Sequence, residues 1–270
     1  MPKIGVTGWK GMVGQELLKF PDTVPLMCDV RYKDDVKAAI QNIRPDIIVH
    51  LASISDVDVC ENPANEDLVI ETNVRGTYNV TNWAEEYGCK VVLLSSSQVF
   101  DGLWGNYNER NKPHPKNSYG RSKFGAESLR TVFDNLKVVR TSYLFDYKRM
   151  YGDIFALRHG CEIGEPMFIF RSYMYLPHFV QSLYKYLMDF DRMPGILHIS
   201  GSDTVSRYKF IKEMAEMLRL DTSLIHSRKH EMDRYAPRPY KAGLNVGLSK
   251  KLELPQYGYR EGLLAMRELI

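Results

Sequence analysis

Three residues in this chain could together protonate a carbonyl oxygen: Ser96, Tyr119 and Lys123. Tyr119 and Lys123 are spaced Tyr-x-x-x-Lys within NSYGRSKFGAESL, residues 117–129. The pattern that follows predicts a helix, which puts them at i and i+4 on one face. An ammonium beside a phenol favours the phenolate and lowers the tyrosine pKa from its usual ~10. That makes a general acid usable at neutral pH. Ser96 ends an apolar strand in VVLLSSSQVFDG, residues 91–102, where a hydroxyl can meet a substrate carbonyl. Tyr-x-x-x-Lys also occurs on ordinary exposed helix faces, so its meaning depends on the elements around it.

Those elements begin with residues 3–7 (KIGVT), a short apolar strand. It runs into Gly8-Trp9-Lys10-Gly11-Met12-Val13-Gly14 and then a helix over 13–20. Glycines three apart let the backbone turn sharply and approach a pyrophosphate, which then sits on the helix start. No Gly-Lys-Ser/Thr follows, so this is not a P-loop. Residues 24–28 are the next extended run, ending at Asp29-Val30. A helix over 34–44 places Val36, Ala39, Ile40 and Ile43 on one face, and Pro45 stops it. Residues 46–52 (DIIVHLA) form a continuous apolar strand of the buried parallel type. A long helix over 66–87, a strand over 90–94, the Tyr119 helix and a strand over 136–140 follow.

This alternation predicts an α/β fold, a doubly wound parallel (Rossmann-like) sheet with a smaller C-terminal substrate-binding lobe. The expected division is a dinucleotide-binding part over 1–145 and the lobe over 146–270, with segments of the lobe returning to the main sheet. Ligands in such folds sit beyond the carboxyl ends of the strands, where Gly8, Ala52 and Ser96 all stand.

Composition narrows the function further. A net charge of +3 over 270 residues argues against nucleic acid or a membrane surface as partner. There is no long apolar run, and the first residues read as a strand and turn, not a signal peptide. Cys28, Cys60, Cys89 and Cys161 are scattered, as expected of free thiols in a reducing cytoplasm. His226 and His230 have a metal-like spacing but no third ligand, so a solvated face is expected and no metal.

Several motifs fall in a consistent order: RPDIIVHLASISDVDVCEN over 44–62, Asn73-Val74-x-Gly76-Thr77 and Val99-Phe100-Asp101-Gly102. They continue with Tyr119-Gly120-x-Ser122-Lys123, Arg140-Thr141-Ser142-Tyr143 and Ala236-Pro237-Arg238-Pro239. Together they make the chain resemble the extended short-chain dehydrogenase/reductases, and within them the dTDP-4-dehydrorhamnose reductase family. The resemblance implies hydride transfer from NADP(H) or NAD(H) to the C4 ketone of a nucleotide-activated 6-deoxy-4-ketohexose. Tyr119 would protonate the forming alkoxide, Ser96 would bond the same oxygen, and Lys123 would hold the cofactor ribose and tune the tyrosine. The cofactor positions it implies are Gly8, Lys10, Gly11, Met12, Val13, Gly14, Asp29, Val30, Arg31, Leu51, Ala52, Ser53 and Asn73, with Tyr119 and Lys123. The substrate positions are Ser96, Ser97, Phe100, Tyr143 and Arg238. A homodimer is common in the family. Related dehydratases place an Asp-Glu pair after the serine or threonine; Ser97-Gln98 stands here, which favours simple reduction.

The chain between Gly14 and Asp29 is short for this fold, so Asp29-Val30-Arg31 reads two ways. Asp29 meets the adenine amine with the second strand-helix unit deleted, or it ends the second strand on the ribose hydroxyl, which favours NAD(H). In the first reading Lys10 and Arg31 would attract a 2′-phosphate, which favours NADP(H). Ser97 replaces a frequent Asp and Tyr143 a substrate-stacking Trp, which leaves the sugar open. Two other functions fit the same site: a nucleotide-sugar epimerase that keeps NAD bound, and a non-catalytic NADP-binding regulatory subunit like that of methionine adenosyltransferase.

The second half is dense in tyrosine and loses the alternation over 146–175. Helices are expected over 177–187, 206–218 and 259–269, and a strand over 196–200. Residues 226–241 read as a basic loop with Arg234 and Arg238 as candidate phosphate ligands.

Overall fold

The structure is a computed structural model that describes residues 1–228 and 235–269; His230 and Arg234 lie outside the described residues. The first half runs β1 (Ile4–Thr7), α1 (Met12–Leu17), β2 (Thr23–Pro25), α2 (Lys33–Ile43), β3 (Ile47–His50) and α3 (Val57–Glu61). Then come α4 (Glu66–Val69), a π-helical turn (Ile70–Arg75), α5 (Gly76–Glu86), β4 (Lys90–Ser96), α6 (Ser118–Ser128) and β5 (Leu136–Thr141). The second half runs β6 (Tyr143–Phe145), α7 (Tyr147–Arg158), β7 (Ile163–Pro166), β8 (Phe170–Tyr175), α8 (Leu176–Met188) and β9 (Ile196–His198). It ends with β10 (Thr204–Ser206), α9 (Arg207–Met217), β11 (Ile225–Arg228), β12 (Lys241–Ala242), α10 (Gly247–Lys251) and α11 (Tyr259–Arg267).

The main sheet has the order β2-β1-β3-β4-β5-β9, and every neighbouring pair is parallel. This is the doubly wound sheet that the alternation predicts. Its strands are buried on both faces because their side chains alternate between two helical layers. Ile4, Val6, Val92 and Val139 face Phe179, Leu183 and Leu187 of α8. Ile48, Val91, Leu93 and Val138 face Val36 and Ile40 of α2, Val80 of α5 and Ala126 of α6. Both sheet edges, β2 and β9, are three residues long. A separate cluster of Phe145, Met150, Tyr173, Phe210, Met214 and Leu263 organises the second half around β8. Strand β8 pairs with β6, β10 and β12 in a small mixed sheet, and β7 pairs with β11.

Three expectations change. Strand β2 ends at Pro25, not at residue 28; the Leu26 amide still donates to the Val6 carbonyl at 2.9 Å, and residues 27–29 then turn into the cleft wall. The long helix over 66–87 is interrupted by the π-turn, which carries the buried Asn73. The stretch over 146–175 and the supposed loop over 226–241 contain α7, β7, β8, β11 and β12. Pairing with distant segments makes these strands, and local periodicity does not record such pairing.

Candidate active site

The sheet order reverses at β1, which lies between β2 and β3, so a crevice opens at the carboxyl ends of β1 and β3. Gly8 sits there with φ +62°, and a Cβ on it would lie 2.5 Å from the Ala52 amide nitrogen. Only glycine allows this close crossing. The cleft that results has a volume of about 960 Å³. Its wall takes Gly8, Lys10, Gly11, Met12, Val13 and Gly14 from the glycine turn. Asp29, Val30, Leu51, Ala52 and Ser53 follow from the next two strand ends. Ser96, Ser97, Tyr119 and Tyr143 stand on the opposite side. Gly11 is the N-cap of α1 and brings no side-chain oxygen to the first helical amides, which leaves them to an anion from outside.

Tyr119 rises from the first turn of α6, whose N-cap Asn117 accepts from the Gly120 amide at 2.8 Å. Asn117 also donates to Gln98 Oε1 and to the Pro237 carbonyl, each at 2.9 Å. It thereby ties the helix start to both halves of the chain. A Cβ on Gly120 would lie 2.2 Å from the Gln98 carbonyl oxygen, so the Gly after the tyrosine is what lets α6 press against the end of β4.

The electrostatics depart from the sequence-based expectation. Burial pushes the Tyr119 phenol up to about 12, while the Ser96 hydroxyl and the Arg149 guanidinium pull the other way. Burial pushes the Lys123 ammonium down to about 8 against the charge of Glu127. Burial is the largest influence on both groups, and it disfavours the charged form of each. Lys123 is 2 % exposed and does not line the cleft. Behind it Glu127 is held by Arg140 through bonds of 2.9 and 2.6 Å and accepts from Ser95 at 2.5 Å.

Other expected positions also move. Phe100 does not line the cleft: it is fully buried, stacked on Tyr107 at 4.4 Å, with the Arg140 guanidinium 5.1 Å from its ring centroid. Arg31 does not line the cleft, because Asp29 holds it through bonds of 2.9, 3.1 and 2.5 Å. The same pair holds the Asp29 carboxyl below its usual range. Asn73 lies 1 % exposed behind the wall, while its neighbour Thr72 lines it. His226 stands on β11, 3.6 Å from Glu162. Among the described residues no group of three or more side chains is placed to hold a metal ion. Nor is any helix long and apolar enough to cross a membrane.

A second cavity of about 620 Å³ continues the cleft, sharing Gln98, Tyr143, Arg149 and Arg171 with it. Arg207, Arg228 and Arg238 add to its wall. Arg207 is fixed by Asp153 at 2.7 Å and Glu165 at 3.3 Å and donates to the Tyr143 hydroxyl at 3.2 Å. Arg238 bonds Asp58 at 2.9 Å and the Ala236 carbonyl at 3.0 Å. Arg149 rests on the Tyr143 ring at 4.7 Å, with Nη1 3.6 Å from Met12 Sδ. Among the described residues its guanidinium has no carboxylate partner, while its amide donates to the N-cap Asp146 at 2.7 Å. Sequence reasoning missed Arg149, Arg171 and Arg207. None belongs to a motif, and the one available signal is arginine recurring through an aromatic stretch.

A family model described as RmlD substrate binding domain matches residues 2–269. The chain is 26 % identical to the spore coat polysaccharide biosynthesis protein SpsK of Bacillus subtilis (strain 168), covering 97 % of this chain and 96 % of that protein. It is 27 % identical to methionine adenosyltransferase 2 subunit beta of Xenopus laevis, over 82 % of this chain and 69 % of that one. The crystal structure of dTDP-4-dehydrorhamnose reductase from Bacillus anthracis str. Ames, in complex with NADP, superposes with a TM-score of 0.91 at 25 % identity. It covers 100 % of this chain and 99 % of that one.

Proposed function

We propose, from the premise that this chain belongs to the RmlD substrate-binding-domain family, that it is an oxidoreductase reducing the C4 ketone of a nucleotide-activated 6-deoxy-4-ketohexose. The observation that carries this reading is the juxtaposition in one groove of the glycine turn, the Ser96–Tyr119 pair and the arginine-lined cavity. Residues 1–145 are the dinucleotide-binding part and 146–270 the substrate lobe, which lends α8 and β9 to the main sheet.

The site residues fit a nicotinamide dinucleotide. The open amides at the start of α1 suit a pyrophosphate, and Asp29 suits a ribose hydroxyl or the adenine amine. When bound, that cofactor supplies the hydride. Lys10 favours the 2′-phosphate of NADP(H); Asp29, its charge shared with Arg31, opposes it. Tyr119, held neutral by burial, keeps its proton at pH 7 and gives it to the carbonyl oxygen as negative charge develops there. Ser96 donates to the same oxygen. Ser97 and Gln98 follow Ser96 with no carboxylate to abstract a neighbouring proton, which supports reduction without dehydration. The arginines of the second cavity, Arg149 and Arg228 foremost, match a diphosphate.

Nicotinamide oxidation with dTDP-4-keto-6-deoxyhexose, NADPH and NADH in parallel, tests the reading in the wild type and in Tyr119→Phe. Turnover that the variant loses supports it. Cofactor binding with no turnover of the dTDP, UDP, GDP or CDP 4-keto sugars sinks it. That result favours a second reading, a non-catalytic nucleotide-binding subunit, which the likeness to methionine adenosyltransferase 2 subunit beta supports.

A further inference from the structure

Gln98 stands where the two cavities meet. Ser55, Val57, Gln98, Tyr143, Arg149 and Arg171 line both of them, and none of these is acidic. The Tyr143 hydroxyl accepts from Arg207 at 3.2 Å, so its own proton is left to donate. The passage between the cavities is therefore rich in donors. What Gln98 adds to it depends on which way its amide is turned, because one tip is a carbonyl and the other an NH2.

The hydrogen bonds of Asn117 decide this. The Gly120 main-chain amide can only donate, so the Asn117 atom 2.8 Å from it is the oxygen, Oδ1. The Pro237 carbonyl can only accept, so the Asn117 atom 2.9 Å from it is the nitrogen, Nδ2. Two independent partners thus fix Asn117 in the same sense. Nδ2 also donates to Gln98 at 2.9 Å, which makes the receiving atom Oε1. The carbonyl tip of Gln98 therefore points at Asn117 and the NH2 tip away from it. Nε2 has no partner among the described residues, so both of its N–H bonds are left for what lies in the groove. The main chain of Gln98 is held as firmly. Its amide donates to Ser96 Oγ at 3.2 Å, and its carbonyl oxygen would lie 2.2 Å from a Cβ on Gly120. The donor is preorganised beside the Ser96–Tyr119 pair.

With the ketone at Ser96 and Tyr119 and the diphosphate among the arginines of the second cavity, the shared residues flank the hexose between them. Along that stretch a nucleotide sugar carries its ring oxygen, its anomeric oxygen and the hydroxyls next to the ketone, all of which accept hydrogen bonds. An amide is also too weak a base to take a proton from the carbons flanking the ketone, whereas a carboxylate there can. We propose that Gln98 is a specificity-determining residue: turned by Asn117, its amide donates to oxygens of the hexose and binds the sugar without enolising it. This rests on the reductase reading above and adds a sugar contact distinct from those of Ser96 and Tyr119. The passage favours a hexose with oxygen at these positions over one with an ammonium group, which would face N–H bonds and two guanidinium groups.

Titration calorimetry with stable ligands tests this without turnover. In the wild type, dTDP-glucose should bind more tightly than dTDP, or UDP-glucose more tightly than UDP. Gln98→Glu keeps the side-chain length and an oxygen for Asn117 but loses both donors. It should weaken the nucleotide sugar by about tenfold and leave the bare diphosphate within about threefold. Gln98→Ala, which adds no charge, should lose about three- to tenfold of the same affinity. The Gln98 NH2 signals in 1H–15N spectra, assigned by their disappearance in Gln98→Glu, should move with the nucleotide sugar and stay in place with the nucleotide alone. The proposal falls if the wild type gains nothing from either hexose or if the NH2 signals do not respond to it. It falls equally if the variants weaken the bare diphosphate as much as the nucleotide sugar, or if Gln98→Ala keeps the wild-type affinity for the sugar. If the wild type binds cofactor yet reduces no 4-keto sugar, the reductase reading fails while the titrations and spectra still decide what Gln98 contacts. If Gln98→Ala does not fold, Gln98→Glu and the spectra decide it.

Discussion

The two walls of the cleft hold their residues by different means. The wall from residues 1–145 is fixed by main chain. Gly8 and Gly120 bring backbones closer than any Cβ allows, and buried side chains bond to carbonyls and amides of neighbouring segments. The wall from the second lobe is fixed by side-chain ends. Arg207 and Arg238 are steadied by Asp153, Glu165 and Asp58, and Arg149 rests on an aromatic ring. A main-chain wall cannot admit one extra atom, whereas a side-chain wall can lose one tip and keep its shape. The first is suited to holding a proton donor against a hydride donor, and the second to choosing what is bound.

Substitutions can break or sharpen this contrast. Tyr119→Phe should cost about 100-fold or more in kcat while cofactor Kd holds, since it removes one oxygen and moves no backbone. An equal loss of cofactor affinity would show that the donor and the cofactor wall are not separable. Arg149→Ala should raise KM for the nucleotide sugar by about tenfold, the worth of one charge-assisted contact, with kcat within about threefold. A fall in kcat instead would move Arg149 to the chemical side of the groove.

Gly120→Ala should damage the main-chain wall itself. Overpacking against the Gln98 carbonyl costs roughly 1–3 kcal/mol or more. A loss of about 2–6 °C in Tm would register it in a chain of this length. The same exchange at Gly152, inside α7 where an added Cβ would meet nothing within 4 Å, should raise Tm slightly, since alanine is the better helix former by roughly 1 kcal/mol. Lys123→Met should preserve or raise Tm near neutral pH, because a buried charge is removed. The sign follows from linkage. Folding lowers the lysine from 10.5 to about 8, so between those values the unfolded chain holds a proton that the folded chain has lost. The wild type gains stability from this group as pH rises through that window, and its Tm deficit against the variant should shrink there. A deficit that stays constant would mean that Glu127 already compensates the charge.

The same contrast explains what the sequence made legible. Glycines three apart, an apolar strand ending in serines and Tyr-x-x-x-Lys are local patterns, and they located Gly8, Ser96 and Tyr119 at the groove. Lys123, Phe100 and Arg31 share those motifs, but tertiary packing decides which way each side chain faces. Lys123 turned towards Glu127, Phe100 towards Tyr107, and Arg31 folded back on Asp29. The second lobe was least legible. Its strands β7, β8 and β11 are defined by partners up to tens of residues away, and Arg149, Arg171 and Arg207 act by where those pairings deliver them.

The brevity of β2 and β9 has a bearing on solubility in the crowded conditions of synthesis and purification. An open sheet edge is a template on which a second chain can add a strand. Here each edge offers three residues. Pro25 has no N–H to give on one side, and on the other the His198 amide is already taken by Glu109 at 3.0 Å. The sheet thus ends on two strands that each offer little for another chain to pair with.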